Sequence, residues 1–342
     1  MTFTALRTER LLIRPVRPDD VEAIVARRNH PEVAEYQNWT LPYPAERADA
    51  LVAGLVAMDG PTDDEWWMAT VADLDDTEVL GDLAVRLSWQ GRTAEIGYTI
   101  ARRWWGNGYA VEAAGAMVAH LFDELGVTRV EGSLHPGNQP SAMVLERLGL
   151  QFEGHTAGSF WVGEENSDDW LYGMTHPMWE AWRHRVRTPP TTVELTEVTE
   201  TNMRAVLDLS IHRSQRLMVA PVAVSLSEAL ILPATDSHLV PWYRAVVADG
   251  DVVGFVMLAR SSPGRSEPYL WRLTIDRMHQ RRGIGARVLD LVSDQCRQWG
   301  DTAVTVSWLP GKGSPAPLYL GYGFEPTGEV ADGEVVGRLR LS

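Results

Sequence analysis

The sequence predicts an α/β fold present in two copies, each built on a mixed sheet. Three observations predict it: segments recur at a near-constant spacing, each copy runs a strand into a glycine turn and a long amphipathic helix, and a diproline separates the copies. WGNGYA (Trp105 to Ala110) is echoed by QRRGIG (Gln280 to Gly285), which puts Gly108 on Gly283 at an offset of 175. Tyr98-Thr99-Ile100 falls on Leu273-Thr274-Ile275 at the same offset. RLGL (Arg147 to Leu150) meets GYGF (Gly321 to Phe324) at 174, and VLGDLAV (Val79 to Val85) meets VVGFVML (Val252 to Leu258) at 173. Two long repeats exclude a solenoid, which needs three or more short ones.

The elements follow in order. The first copy opens with a strand at Leu11 to Pro15 and a helix capped by Asp19; the second opens with Val193 to Val198 and a helix capped by Thr201. Alternating strands are expected at Trp66 to Ala72 with Leu80 to Leu87, and at Tyr243 to Ala248 with Val252 to Leu258. A further strand ends at Ile100 or Ile275, and the long helix spans Tyr109 to Leu125 or Ile284 to Trp299. A strand (Arg129 to Leu134; Ala303 to Trp308), a short helix and a last strand pair close each copy. Arg187-Thr188-Pro189-Pro190-Thr191-Thr192 breaks the pattern, because a diproline cannot sit inside a helix or central strand. The expected domains are therefore 1–188 and 193–342, with 189–192 as linker.

Composition bounds the function. With 342 residues, 45% hydrophobic and 23% charged, the chain can bury two ordinary cores. A net charge of −15 argues against a general nucleic-acid binder, which needs clustered cations. The single cysteine, Cys296, excludes an internal disulfide framework and a Cys-rich zinc site, and no metal is expected. The first twenty residues mix charges of both signs, unlike a signal peptide, and no apolar run approaches a membrane span. A cytoplasmic location without membrane association is the expectation. Residues 1–189 hold 16 basic and 29 acidic side chains, whereas residues 190–342 hold 15 and 17. The acidic first half suits cationic small molecules or basic peptides, although solubility alone accounts for it equally well.

A strand, glycine turn and helix start together make an anion site, since backbone N–H groups and the helix dipole converge there. Neither copy carries the G-x-x-x-x-G-K-[ST] or G-x-G-x-x-G pattern of nucleotide folds, so phosphate binding without nucleotide hydrolysis is the reading. QRRGIG fits Q/R-x-x-G-x-G/A, and WGNGYA fits it with Trp105 in the Q/R position. On these residues the chain resembles the GNAT superfamily of acetyl-CoA-dependent N-acetyltransferases. The first half resembles the RimJ/RimL-like ribosomal-protein acetyltransferases through TERLLIRPVRPDD, AEIGYTIARRWWGNGYAVEAAG, HPGNQPSAMVLERLGLQFEG and DDWLYGM. The second resembles the spermine/spermidine-type branch through LWRLTIDRMHQRRGIG, LYLGYGFEPTG and GEVVGRLRL. The resemblance implies a mostly antiparallel sheet flanked by helices in each copy, with acetyl-CoA as co-substrate.

It also implies direct attack of an amine on the acetyl thioester, with both substrates bound. Pyrophosphate would be held at Trp105, Gly106, Asn107, Gly108, Tyr109 and Ala110, and at Gln280, Arg281, Arg282, Gly283, Ile284 and Gly285. The backbone near Tyr98, Thr99 and Ile100, and near Leu273, Thr274 and Ile275, would hold the pantetheine arm like an added strand, one N–H polarising the thioester carbonyl. In the second copy Tyr319 stands where the family places the acid for the thiolate; its alternative is a core aromatic, with Tyr322 as competitor. Leu270 occupies the place of Glu95 by counting, leaving Glu267, Glu228 or water as base. In the first copy Glu95 is the base candidate, or else a carboxylate paired with an arginine, and Leu145 replaces the tyrosine. Asn138 and Ser141 match the family's N-x-x-S segment, which implies a coenzyme contact for Asn138 and a hydrogen bond from Ser141 to the sulfur, against simple turn and cap chemistry; Lys312 stands for Asn138 in the second copy. Trp66, Trp67, Trp89, Trp242, Trp271 and Trp308 are pocket or core residues, and Cys296 packing.

The expected activity is acetyl transfer to a primary amine of a cationic small molecule, such as a polyamine or an amine-bearing antibiotic. The alternatives are N-terminal protein acetylation, and one copy serving only as a coenzyme A-binding module. The sequence leaves the oligomeric state open.

Overall fold

The computed structural model describes residues 2–162, 164–232 and 239–341. The chain divides into two compact units, Met1–Arg183 and His184–Ser342. The segment around the diproline lies on the second unit. Arg282 Nε donates to the Thr188 carbonyl at 2.9 Å, Arg287 Nη1 to that of Pro190 at 2.7 Å, and Asp249 accepts from the Thr191 and Thr192 N–H groups.

The first unit runs β1 (Leu6–Arg7), β2 (Leu11–Pro15), α1 (Val21–Arg28), α2 (Pro31–Ala34), α3 (Ala45–Val56), β3 (Trp66–Asp73), β4 (Val79–Ser88), β5 (Thr93–Ile100), α4 (Tyr109–Asp123), β6 (Arg129–Leu134), α5 (Gln139–Leu148), β7 (Gln151–Val162), β8 (Glu165–Thr175) and α6 (His176–Arg183). Its sheet order is β1-β2-β3-β4-β5-β6-β8-β7, and only β5 with β6 is parallel. The α4 crossover makes that parallel pair possible. One face packs Leu83, Ala94, Ile96 and Val130 against Met117, Leu121 and Leu145. On the other face Met68 meets Ile24, Val52 and Leu55 of α1 and α3. Because β3 is covered on both faces, Trp67 through Ala72 are all buried and the strand reads as an apolar run.

The second unit runs β9 (Val193–Thr196), α7 (Met203–Leu207), α8 (Val222–Leu230), β10 (Pro241–Ala248), β11 (Asp251–Ala259), β12 (Tyr269–Ile275), α9 (Ile284–Trp299), β13 (Ala303–Trp308), α10 (Ala316–Tyr322), β14 (Glu325–Ala331) and β15 (Glu334–Arg340). Its order, β14-β15-β13-β12-β11-β10-β9, again has one parallel pair, β12 with β13. Val288, Leu289, Val292 and Cys296 of α9 pack on Val256, Leu270 and Val306, and Phe255 and Met257 face α7 and α8 on the other side. Both units are mixed sheets flanked by helices.

Two expected caps shift by one residue. Asp20, not Asp19, precedes α1, after a 3₁₀ turn over Pro18–Asp20; its carboxylate is held by the Arg17 N–H, Arg14 and Thr70. Asn202, not Thr201, precedes α7, and its Oδ1 accepts the Thr199 N–H at 2.8 Å.

Arg27 on α1 pairs with Asp82 on β4, with side chains only 1% and 7% exposed. Removing one partner strands the other charge in the core. Arg27→Met is therefore expected to destabilise the first unit by about 3–5 kcal/mol, read as a lower urea midpoint for its transition.

Candidate functional site

In both units the parallel strands separate soon after they pair. In the first, only Thr93, Ala94 and Glu95 pair with β6, although β5 runs on to Ile100. In the second, only Tyr269 and Leu270 pair with β13, although β12 runs on to Ile275. A sheet opened in its middle exposes backbone groups that an extended ligand can complete.

Alternation in the antiparallel ladder says which groups face each opening. The Ala101 N–H donates to the Leu80 carbonyl at 2.8 Å, so Thr99 and Gly97 also bond toward β4, and Ile96, Tyr98 and Ile100 turn toward the opening. The Asp276 N–H donates to Val253 at 2.8 Å, which turns Leu273 and Ile275 toward the second opening and Thr274 toward β11. Thr99 and Thr274 thus sit in the right segments but on the ladder side.

The two glycine turns share one backbone. Gly106 and Gly108 have φ of +82° and +81°, and Arg281 and Gly283 have +64° and +76°. Arg281 thus adopts the left-handed conformation that Gly106 adopts freely. The N–H groups of Asn107, Gly108, Tyr109 and Ala110, and of Arg281 through Gly285, have no partner among the described residues, which leaves an anion cradle at the head of α4 and of α9. Trp105 Nε1 donates to the Ile100 carbonyl at 2.7 Å, and Gln280 Nε2 to that of Ile275 at 3.0 Å. Different side chains therefore tie the turn to the strand end by the same bond, which explains why Trp replaces Gln. Asn107 Nδ2 braces the carbonyls of Trp104 and Trp105, while the Arg282 guanidinium is buried on Thr188 and His279, so Arg282 offers the cradle only its backbone.

A second brace reaches Gln280. Gln215 exchanges amide hydrogen bonds with it and, through its side-chain oxygen, accepts the His212 N–H, while the His212 ring accepts the Gln215 backbone N–H. Burial, reinforced by Arg277, Arg185 and Arg281, pushes the His212 pKa down to about 4. His212 is thus neutral when folded and protonates near its ordinary value when unfolded, so its contribution is present above that value and is lost as pH falls toward 4. The second unit is expected to lose about 3 kcal/mol of stability between pH 7 and pH 4 from this group, and His212→Asn to flatten that slope in urea titrations.

In the first unit the Glu95 carboxylate pairs with Arg86 at 2.5 Å, and Ser133 Oγ lies 3.5 Å from its other oxygen. Arg86 also stacks over Trp66. On the opposite face of β5, the Tyr98 hydroxyl donates to the Ser141 carbonyl at 2.8 Å and lies 3.0 Å from Ser141 Oγ. The Tyr98 phenol was legible only as a backbone position, and its hydroxyl is the addition the fold makes. Asn138 caps α5, its Oδ1 accepting the Ser141 N–H at 3.2 Å. Leu145 is core, 2% exposed.

In the second unit Tyr319 is 6% exposed, packed between Trp308 and Phe324, and its hydroxyl makes no hydrogen bond among the described residues. Burial raises its pKa well above the ordinary value, and Tyr269 and Glu334 push the same way. Tyr322 is tied outward to Asp290 at 2.8 Å. The cap does not map onto Lys312: α10 begins only at Ala316, and Ser314 Oγ takes the Ala316 N–H.

Counting also misplaces Leu270. A register shift at Met257/Leu258 leaves Trp271 as an extra residue, and the pairing with β13 puts Tyr269, not Leu270, in the place of Glu95. Leu270 points into the α9 core instead. Glu267 is bound twice by Arg338, which holds its carboxyl below the usual range, and Glu228 pairs with Arg272 at 3.0 Å. Among the tryptophans, Trp67 and Trp308 are core, whereas Trp89 is 80% exposed on a turn. Cys296 is buried. Asp123, His176 and Glu180 group together on the surface of the first unit, where Arg183 already bridges the two carboxylates.

Each sheet is thus opened beside an N–H cradle, a layout that suits an extended, phosphate-bearing ligand. Residues 10–151 match the family described as acetyltransferase (GNAT) domain, and residues 211–315 the one described as acetyltransferase (GNAT) family. Over 176 residues, 51% of this chain, the sequence is 30% identical to the uncharacterized N-acetyltransferase YoaA of Bacillus subtilis, 98% of which is covered. It is 28% identical over 115 residues to the ribosomal protein uS5-alanine N-acetyltransferase of Escherichia coli, covering 32% of this chain and 58% of that protein. A crystal structure of a GNAT-family acetyltransferase from Bacillus anthracis aligns with a TM-score of 0.45 and 24% identity, over 50% of this chain and 98% of that one. The chain belongs to the GNAT N-acetyltransferases and carries two GNAT domains in tandem. Acetyl-CoA is the acyl donor this fold uses. No helix among the described residues is long and apolar enough to cross a membrane.

Proposed function

We propose that the chain transfers acetyl from acetyl-CoA to a primary amine of a cationic small molecule, by direct attack in a ternary complex. The observation that carries this reading is the layout of the openings: in the first, the Glu95–Ser133 pair on one face of the sheet and the Ser141 hydroxyl on the other, and in the second, the Tyr319 phenol on the helix-covered face. The amine meets an acceptor for its proton on the first side, and the departing sulfur meets a donor on the second. The pyrophosphate rests on the N–H groups of 106–110 or 281–285, and the pantetheine arm completes the ladder of Tyr98 and Ile100 or of Leu273 and Ile275.

In the second domain Tyr319 delivers the proton. Its raised pKa keeps it protonated at every working pH, and the same dry surroundings raise the proton affinity of the thiolate it serves. In the first domain Ser141, fixed by Tyr98, donates a hydrogen bond to the sulfur, and Glu95 accepts the amine proton. Glu95 is already engaged by Arg86, with which the incoming amine must compete, so the first domain is the slower of the two.

The net −13 of residues 1–189 supports a cationic acceptor. A second reading, acetylation of a protein N-terminus, is favoured by the similarity to the uS5-alanine acetyltransferase. Turnover with spermidine, kanamycin and an alanyl N-terminal peptide separates the two. Preference for either small amine supports the first reading, and preference for the peptide replaces it with the second.

A further inference from the structure

The second domain lacks a carboxylate at the place of Glu95, yet the fold supplies one from another strand. We propose that Glu334, on β15, is the terminal proton acceptor of the second domain, reached from the acceptor amine through the hydroxyls of Tyr269 and Ser307. The proposal rests on the second domain being catalytic.

Glu95 pairs with Glu131 on β6, and Tyr269 with the corresponding Thr305 on β13, so Tyr269 stands at the mouth of the second opening where Glu95 stands at the first. Ser133 and Ser307 are likewise equivalent, at an offset of 174. In the first domain the serine sits beside Glu95 itself. In the second, Ser307 Oγ lies 2.7 Å from the Tyr269 hydroxyl and donates to Glu334 Oε2. One bulge on β12 has moved a tyrosine into the carboxylate's place, and the serine hands the connection to β15.

The chemistry of the neighbours singles out Glu334. Glu267 and Glu228 are both spent on arginines, Arg338 and Arg272. Glu334 makes no ion pair among the described residues, and its hydrogen bond comes from a neutral hydroxyl, so its carboxylate is not committed to a fixed cation. The groups that face this chain are Tyr319, which feels both Tyr269 and Glu334, and Arg265 and Arg272, which act on Tyr269. Val304, Val306 and Trp308 of β13 point into the α9 core, so Ser307 and the Glu334 bound to it lie on the opposite face from α9, as Ser133 and Glu95 do relative to α4.

The step balances. The ammonium passes one proton to the Tyr269 oxygen while Tyr269 passes its own to Ser307 and Ser307 to Glu334. The free amine bonds to the acetyl carbon, the C–S bond breaks, and the sulfur takes the Tyr319 proton. The second amine proton returns to the Tyr319 phenolate, and Glu334 releases its proton to water.

The test uses the full chain carrying Gly108→Val, so that turnover reports the second domain, with the best acceptor among spermidine, kanamycin and the alanyl peptide. Glu334→Gln is expected to lower kcat/KM about a hundredfold and to abolish the acidic limb of its pH profile, with acetyl-CoA affinity unchanged. Ser307→Ala is expected to act in the same direction, and Glu334→Asp to restore part of the rate with a displaced limb. A Glu334→Gln chain with unaltered rate and limb would overturn the proposal alone. A Gly108→Val chain that binds acetyl-CoA but acetylates none of the three would overturn it together with the catalytic reading, and the binding measurement tells the two failures apart.

Discussion

Tyr319→Phe is expected to reduce kcat of the second domain by roughly a hundredfold to a thousandfold while leaving acetyl-CoA affinity within about twofold. The hydroxyl is the only group removed, and it makes no hydrogen bond among the described residues, so the fold loses nothing it uses. The aromatic packing with Trp308 and Phe324 stays intact. Steady-state kinetics in the Gly108→Val chain, with isothermal titration for acetyl-CoA, reads the split between turnover and binding. An equal loss in both would make Tyr319 a packing residue, which is the alternative its burial keeps in view.

Gly283→Val is expected to weaken acetyl-CoA binding at the second site by roughly ten- to a hundredfold. A Cβ at this position meets nothing within 4 Å, so crowding is not the cause. The cause is conformational: φ of +76° is open to glycine and costly for a β-branched residue, about 1–3 kcal/mol, and relaxing it turns the N–H groups away from the phosphate. Gly108→Val acts in the same way at the first site, with φ of +81°. Arg281 already holds φ of +64° in the same turn, so the fold bears one such strain there. Titration calorimetry on each variant measures the effect, and unchanged affinity at both sites would remove the turns from the cofactor's path.

The repeat was legible because the constraints behind it are local. Tyr109–Asp123 and Ile284–Trp299 show helical periodicity behind a glycine that must be left-handed, and both helices begin at the expected residue. Strands Arg129–Leu134 and Ala303–Trp308 have the expected bounds, set by alternation and flanking polar residues. The caps of α1 and α7 differed by one residue, since adjacent polar residues compete for the same N–H groups and only tertiary partners, Arg14 and Thr70 for Asp20, decide between them.

The candidate site was legible in its backbone and less so in its side chains. Trp105 and Gln280 share a role that a one-letter comparison hides, because the acceptor is a carbonyl indifferent to the donor's ring or amide. Tyr269 escaped attention because a single bulge shifts the count between β12 and β5, and a bulge leaves no mark in composition. Glu334 was invisible for another reason. Its partner Ser307 lies on β13, 27 positions away along the chain, and no spacing rule ties a hairpin carboxylate to a serine on the neighbouring strand.

The central claim is that each domain holds its own working acetyl-CoA site. Native mass spectrometry of the intact chain titrated with acetyl-CoA tests it most directly. Two molecules bound per chain is the predicted result, falling to one in either Gly108→Val or Gly283→Val. One bound would make the other copy a scaffold, and none bound would contradict the account.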